Sequence, residues 1–512
     1  MSVVERTPSP LTVGATRRIS LFQLLIVVGA AAGIALRAWV LASSQGTLDA
    51  DEAVYGLMAR HVLHGHLTTF FWAQAYGGTQ EVLLTAGVFG VFGSSTLALK
   101  IVPAVLYGVA AVLVWRIGRR TIGDQPAQVA AVLFWIWPTY FVWKSTRAHG
   151  FYGSSLVLGL VVVLMALRLR ERYERRDVAV LGLALGLGWW ATPQIAILAL
   201  PAVAWLLWRR PGTARGWPLA VVGFLLGAAP WIVANIRHDW YSLHFGADAS
   251  SKVGHLHNLF VATLPTALGL RLPFSLAWLP GVVVGAALYV AAIAFFVWLL
   301  VRRWRQLEPL LVIALVFPVL YYFSPYTWLN TEPRYLVLFA PVVALLASSV
   351  LTTFPRAVAA VAVALAFSIA GLVQMERHNL AVFHSEGTTV PSDFGPLLRT
   401  LDEHGVRHAY GSYWVAWRIS FESKERVVAA AYSARHYTRR GDRVVPLDGE
   451  LGRWPPFFHQ TVRDPRSAYV FLASGDFERR LEPVLRSTGY RKIETRDFDV
   501  YLPPATATKS TA

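Results

Sequence analysis

Eleven apolar runs follow one another between residues 20 and 377, separated by short polar turns. A helix needs about 20 apolar residues to cross a bilayer. The hydrocarbon layer offers no water to unpaired backbone groups, so such runs must be helical. The expected spans are 20–42, 97–116, 127–143, 152–169, 178–191, 193–208, 217–235, 274–301, 309–323, 335–351 and 356–376. The fifth and sixth are short and meet at Thr192-Pro193.

Composition fits this pattern. Of 512 residues, 55% are hydrophobic and 15% charged, against about 25% charged in soluble domains. Residues 1–377 hold 28 Lys/Arg and 14 Asp/Glu, whereas 378–512 hold 19 and 16. The chain therefore divides into a tail (1–19), a membrane module (20–377) with a first external loop at 43–96, and a soluble domain (378–512). The absence of cysteine excludes disulfides and thiolate metal sites. A net charge of +17 would suggest nucleic acid, but the basic residues cluster between apolar runs, as topology demands. No nucleic-acid partner is expected.

Orientation follows from the same clusters. Counted from inside, alternate turns collect Arg17 and Arg18, Arg116 to Arg120, Arg168 to Arg176, Arg209 to Arg215, Arg302 to Arg305, and Arg356. The opposite turns hold few cations. The N-terminus is expected in the cytoplasm and the 378–512 domain outside, with the protein in a plasma (inner) membrane. The 20 Trp residues, many near span ends, read as interfacial anchors.

The first external loop concentrates acid. Asp49, Asp51 and Glu52 fall within four residues, and Glu81 follows. From Asp51 to His64 the apolar residues recur at helical spacing and Gly65 supplies a stop. An amphipathic helix lying on the outer membrane face is expected. One acid capping that helix would be unremarkable, but a cap does not account for three. A carboxylate base at the membrane surface does. Asp49-Ala50-Asp51 also fits a D-x-D metal pattern, a weak signal at a single spacing; a divalent metal is not favoured, and no other cofactor is expected.

The other external groups are mostly cationic. Lys144, Arg147 and His149 follow the third span, Arg237 and His238 the seventh, and Arg334-Tyr335 opens the tenth. Arginine and lysine outside run against the orientation rule, and an anionic phosphate is their natural partner.

These features resemble the GT-C glycosyltransferases, in particular the protein O-mannosyltransferase and aminoarabinose-transferase group. The resemblance rests on Asp51-Glu52 early in a large first loop, Tyr55 after it, the number of spans, Arg334-Tyr335 before a late span, and the closing outer domain. The stretch Tyr413–Ser423 also resembles the outer domain of some bacterial members. The resemblance implies an α-helical polytopic GT-C-like fold of about eleven transmembrane helices with a small extracytoplasmic α/β domain. It implies an inverting glycosyltransferase whose donor sugar rides on a polyprenyl phosphate, with Asp51 as general base. Asp49, Glu52, Tyr55, Glu81, Lys144, Arg147, His149, Arg237, His238, Arg334 and Tyr335 are the expected substrate contacts. The partners implied are the lipid-linked donor, membrane lipids, and an acceptor protein, lipid or cell-wall glycan. Tyr76-Gly77-Gly78-Thr79-Gln80-Glu81 departs from the Lys-Pro-Pro or His-Pro-Pro element of many relatives, so that contact does not carry over. The alternatives are a non-catalytic glycan- or lipid-binding protein and a lipid-linked sugar transporter.

The outer domain reads as small α/β. Strands are expected at 406–411, 426–430, 467–473 and 490–502, helices near 393–404, 412–422 and 476–488, and a basic solvated loop at 435–460.

Overall fold

The computed structural model describes residues 20–243, 252–324, 331–432, 437–440, 443–446 and 452–504. The predicted tail 1–19 and parts of the predicted loop 435–460 lie outside the described residues.

Each predicted span contains a helix, although the tenth, expected at 335–351, is α-helical only over Ala340–Ser348. Helices run Leu21–Ala42, Thr96–Thr121, Tyr152–Glu171, Arg175–Ala191, Ala196–Arg209, Trp217–Arg237, Ala340–Ser348 and Phe354–Arg377. The third span is broken into Asp124–Ile136 and Thr139–Lys144 at Trp137-Pro138, because proline cannot donate the amide bond a continuous helix needs. Helices 175–191 and 217–237 touch backbone to backbone. A methyl group on Gly182 would lie 2.1 Å from the Ala220 carbonyl oxygen, and one on Gly186 2.1 Å from that of Phe224. Small residues four apart permit such close approach in lipid.

The eighth and ninth spans form one helical run, Val282–Phe323, of 42 residues. Six described helices are long and apolar enough to cross a membrane if this run counts once. It does not run straight. Tyr289 Oη donates to the Phe260 carbonyl at 2.7 Å, and Tyr321 meets Thr263. Residues 260 and 263 lie within one turn, whereas 32 residues of straight helix would extend about 48 Å. The run therefore turns back on itself between Tyr289 and Tyr321. The expected start of this span at 274 is corrected to 282. Residues 268–281 are irregular, held by an Arg271–Trp278 bridge.

The predicted inside turns gather at one end of the bundle. Arg120 pairs with Glu171 at 3.3 Å, Arg168 with Asp177 at 2.8 Å, and Arg209 Nε with Glu308 at 2.8 Å. The acidic loop and the outer domain occupy the other end.

The outer domain carries a five-stranded mixed sheet in the order 428–431, 408–411, 468–472, 498–502, 491–494. The first three strands are parallel, and 498–502 is antiparallel to both its neighbours. The run predicted as one strand at 490–502 is thus a hairpin. The predicted loop 435–460 is also corrected. It holds the hairpin 437–440/443–446 and the start of helix Pro455–Arg463, which buries Phe457 and Thr461. Trp417 is buried, and Trp414 stacks on Phe383 at 4.8 Å, so both are packing residues.

The helix predicted to lie on the membrane surface, Ala50–Leu63, is instead buried on nearly every side. Helix Tyr413–Glu422 of the outer domain packs across it, and a Cβ on Gly56 would fall 2.2 Å from the Phe421 ring. Leu57, Met58, Phe89, Trp417, Phe421 and Phe457 share one core. Its polar end is taken up by ion pairs within the protein.

Candidate active site

Helix Ala50–Leu63 begins with a reciprocal cap. The Glu52 amide donates to Asp49 Oδ1 at 2.8 Å, and the Asp49 amide donates to Glu52 Oε2 at 3.2 Å. A cap of this kind satisfies two orphan amides at the helix start. Here both carboxylates are also buried, and a buried charge must be paired.

Four groups do this. Arg147 Nη2 lies 2.8 Å from Asp49 Oδ2 and 2.8 Å from Glu52 Oε2. Lys100 Nζ reaches the two Glu52 oxygens at 2.9 and 2.7 Å. The Ala148 amide donates to Glu52 Oε1 at 2.8 Å. His149 Nε2 contacts Asp49 Oδ2, while Lys144 Nζ donates to His149 Nδ1 at 2.6 Å. Burial alone would raise the Asp49 carboxyl; His149 and Arg147 outweigh it and hold Asp49 well below its ordinary range. Burial, with Lys144 adding to it, lowers His149. With its proton on Nε2, the ring accepts from Lys144 and donates to Asp49. Asp49 and Glu52 are thus fully engaged with protein.

Asp51 differs. Its side chain is 45% exposed. The Tyr413 hydroxyl donates to Oδ1 at 2.5 Å, and Arg453 Nη2 lies 3.7 Å from the same oxygen. Among the described residues Oδ2 takes no hydrogen bond. Capping and pairing by its neighbours fix the backbone of Asp51 while leaving its own carboxylate open.

A second group of charges stands beside it. Arg334 Nη2 pairs with Glu332 at 2.8 Å and bonds the Tyr152 hydroxyl. Lys144 lies 4.4 Å over the Tyr152 ring and, among the described residues, pairs with no carboxylate. Burial would raise Glu332, but Arg334 and Lys144 bring it below its ordinary value. Burial raises Tyr76; Arg453 and Arg334 oppose this and Asp51 adds to it. Tyr335 is buried next to Arg334.

Glu81 is buried in the outer loop, accepting from the Ser154 amide at 2.8 Å and its hydroxyl at 3.1 Å. Burial pushes its carboxyl up to about 7 against these bonds. Tyr55 is buried and stacks on Phe71 at 5.5 Å, so it packs rather than faces the opening. Arg237 and His238 are exposed and outside the ionic cluster; His238 packs on Tyr241 at 5.3 Å, which itself meets Phe70 at 5.8 Å.

Asp49, Glu52 and His149 bring three ligand-type atoms within 4.8 Å of one another. Arg147 and Lys100 already use those oxygens, and Asp51, the second acid of the D-x-D pattern, is not among the three. The donor set fits a guanidinium better than a divalent ion.

An apolar, partly open cavity of about 720 Å³ lies between the helices, with the exposed Leu288, Ile293 and Val363 among its lining residues. Leu133, Leu270, Tyr289, Phe317, Phe339 and Phe367 are among its lining residues. Arg271, next to Leu270, keeps a buried Nε without a partner among the described residues, as does Arg334. Sequence reasoning did not single out Lys100, Arg271, Tyr152 or Arg453, and it reached Tyr413 only as the start of the stretch 413–423, with no link to Asp51. A lysine one turn into an apolar span, and an arginine on the cation-poor side, were available signals for the first two. Tyr413 and Arg453 carry no local signal, since only folding brings residues about 400 positions away onto Asp51.

The family model for dolichyl-phosphate-mannose-protein mannosyltransferase matches residues 82–233. Comparison with curated protein sequences gives no match. Among solved structures, the chain is similar to ArnT from Cupriavidus metallidurans in the apo state, at 13% identity and TM-score 0.66, covering 95% of this chain and 99% of that one. The same protein bound to undecaprenyl phosphate gives 13% identity and TM-score 0.62, over 94% and 98%. The archaeal oligosaccharyltransferase AglB from Archaeoglobus fulgidus, in complex with an inhibitory peptide and a dolichol-phosphate, gives 12% and 0.53, over 96% and 75%. At these identities the solved structures speak to fold alone. The fold is thus ArnT-like, and part of the membrane module is similar to the mannosyltransferase family model.

Proposed function

We propose that the chain is an inverting glycosyltransferase that moves a sugar from a polyprenyl-phosphate donor to an acceptor hydroxyl on the extracytoplasmic face of the plasma membrane. The observation that carries this reading is the difference among three neighbouring acids. Asp49 and Glu52 are buried and paired, whereas Asp51 is open at the end of the bundle that bears the cations.

Asp51 acts as general base. It takes the proton of the acceptor hydroxyl as that oxygen forms its bond to the anomeric carbon. The bond from that carbon to the phosphate oxygen breaks on the opposite face, and polyprenyl phosphate leaves with the electron pair. Lys144, Arg271 and Arg334 hold the phosphate and stabilise the charge gathering on it, which is most effective where water is excluded. Tyr335 and Tyr152 orient Arg334. The lipid chain lies in the apolar cavity between the helices. Undecaprenyl phosphate on ArnT and dolichol-phosphate on AglB support a lipid of this class. Glu81, held near neutrality, contacts sugar hydroxyls. Arg237 and His238 meet the donor or lipid headgroups at the rim. Asp49, Glu52, Arg147 and His149 brace the helix start that presents Asp51, and Tyr55 packs behind it. The N-terminus lies in the cytoplasm and residues 378–512 lie outside, over the site.

The test uses purified protein in lipid with a panel of polyprenyl-phosphate sugars. Release of polyprenyl phosphate together with product of inverted anomeric configuration supports the reading. Retained configuration, or release that is indifferent to acceptor, contradicts it.

A further inference from the structure

The outer domain meets the Asp51 carboxylate through Tyr413 and Arg453. Tyr413, at the start of helix Tyr413–Glu422, donates to Asp51 Oδ1 at 2.5 Å. Arg453 approaches that oxygen at 3.7 Å and donates from Nε to the Tyr413 hydroxyl at 3.2 Å. Arg453 is itself anchored on the first loop, 3.4 Å from the Trp72 carbonyl and 4.9 Å over the Phe71 ring. Next to it Trp454 stacks on Trp72 at 4.5 Å. The hydrogen bond to Asp51 falls on Oδ1, and Oδ2 takes none among the described residues.

We infer that Tyr413 and Arg453 are positioning residues, through which the outer domain orients the Asp51 carboxylate so that Oδ2 receives the acceptor proton. This rests on the proposed role of Asp51 as base. A free aspartate carboxylate rotates about its terminal torsion with little restraint. Fixing one oxygen fixes the other, and misplacement of a catalytic group by about 1 Å can cost 100-fold. The outer domain is then part of the catalytic apparatus. Its docking, through Trp454 and the Phe421 contact with Gly56, sets the geometry of the base.

The test is steady-state release of polyprenyl phosphate by full-length protein in lipid, comparing wild type with Tyr413→Phe, Arg453→Gln, Arg453→Lys and Asp51→Asn. The expected result is a 10- to 100-fold fall in kcat for Tyr413→Phe and Arg453→Gln, with the donor KM within threefold of wild type. Arg453→Lys, which keeps the charge, recovers most of the loss. A merely structural role would not divide in this way between kcat and KM, nor be rescued by charge. Wild-type kcat in Tyr413→Phe and Arg453→Gln while Asp51→Asn is inactive overturns the positioning role alone. Full activity of Asp51→Asn overturns the base assignment and this inference with it.

Discussion

Replacing Lys100 with methionine removes one cation from a carboxylate that has no access to water. The Lys100 and Glu52 side chains are 1% and 0% exposed and sit 2.7 Å apart. Removing one partner of a buried pair costs about 3–5 kcal/mol, because the other charge stays buried. Glu52 keeps Arg147 at 2.8 Å and the Ala148 amide at 2.8 Å, so Lys100→Met belongs at the lower end, about 3 kcal/mol. Arg147→Met strips both Asp49 and Glu52 and belongs at or above the upper end, about 5 kcal/mol. Combining Lys100→Met with Glu52→Gln removes the stranded charge, and most of the single-variant loss returns. Tryptophan fluorescence during heating in detergent reports the order. The expected midpoints fall from wild type through the double variant and Lys100→Met to Arg147→Met. A Lys100→Met protein as stable as wild type, or a double variant less stable than the single, would refute the reasoning.

Three further outcomes are expected. Burial raises the folded Glu81 carboxyl from 4.5 to about 7, so its contribution to stability is complete below about pH 4.5 and is lost as pH rises through 7; Glu81→Gln should gain about 3 kcal/mol on wild type between pH 5 and 8, read from thermal midpoints against pH, and parallel curves would contradict this. Gly56→Val would drive a side chain into the Phe421 ring, 2.2 Å from the new Cβ; limited proteolysis should then release the outer domain at least tenfold faster, and an unchanged rate would mean the docking is not held there. Ala360→Phe narrows the apolar cavity; the KM for a long-chain donor should rise about tenfold with little change for a short-chain analogue, and equal effects on both would remove the lipid from the cavity.

The membrane module was readable because two independent signals coincide there, apolar length and the alternation of basic turns. Together they predicted a reversal within Val282–Phe323, where the secondary structure itself shows no break. The acidic triplet was readable as unusual, but not its division of labour. Sequence gave Asp49, Asp51 and Glu52 equal standing, and only Lys100, Arg147 and His149, brought in from other spans, separate the two braced acids from the open one. The surface-helix reading failed for the same reason. The small apolar face between Asp51 and His64 looked sufficient for a membrane interface, yet the outer domain covers what remains. Helix Pro455–Arg463 was hidden by its two leading prolines and basic surroundings, although proline in a first turn is compatible with a helix.

The account stands most directly on the rate of polyprenyl-phosphate release by wild type and by Asp51→Asn, with donor and acceptor saturating and both proteins shown to be folded. A general base contributes about 10²–10⁴-fold, so the account predicts a fall of at least 100-fold. Equal rates would contradict it and turn attention to a carrier or binding protein built on the same fold.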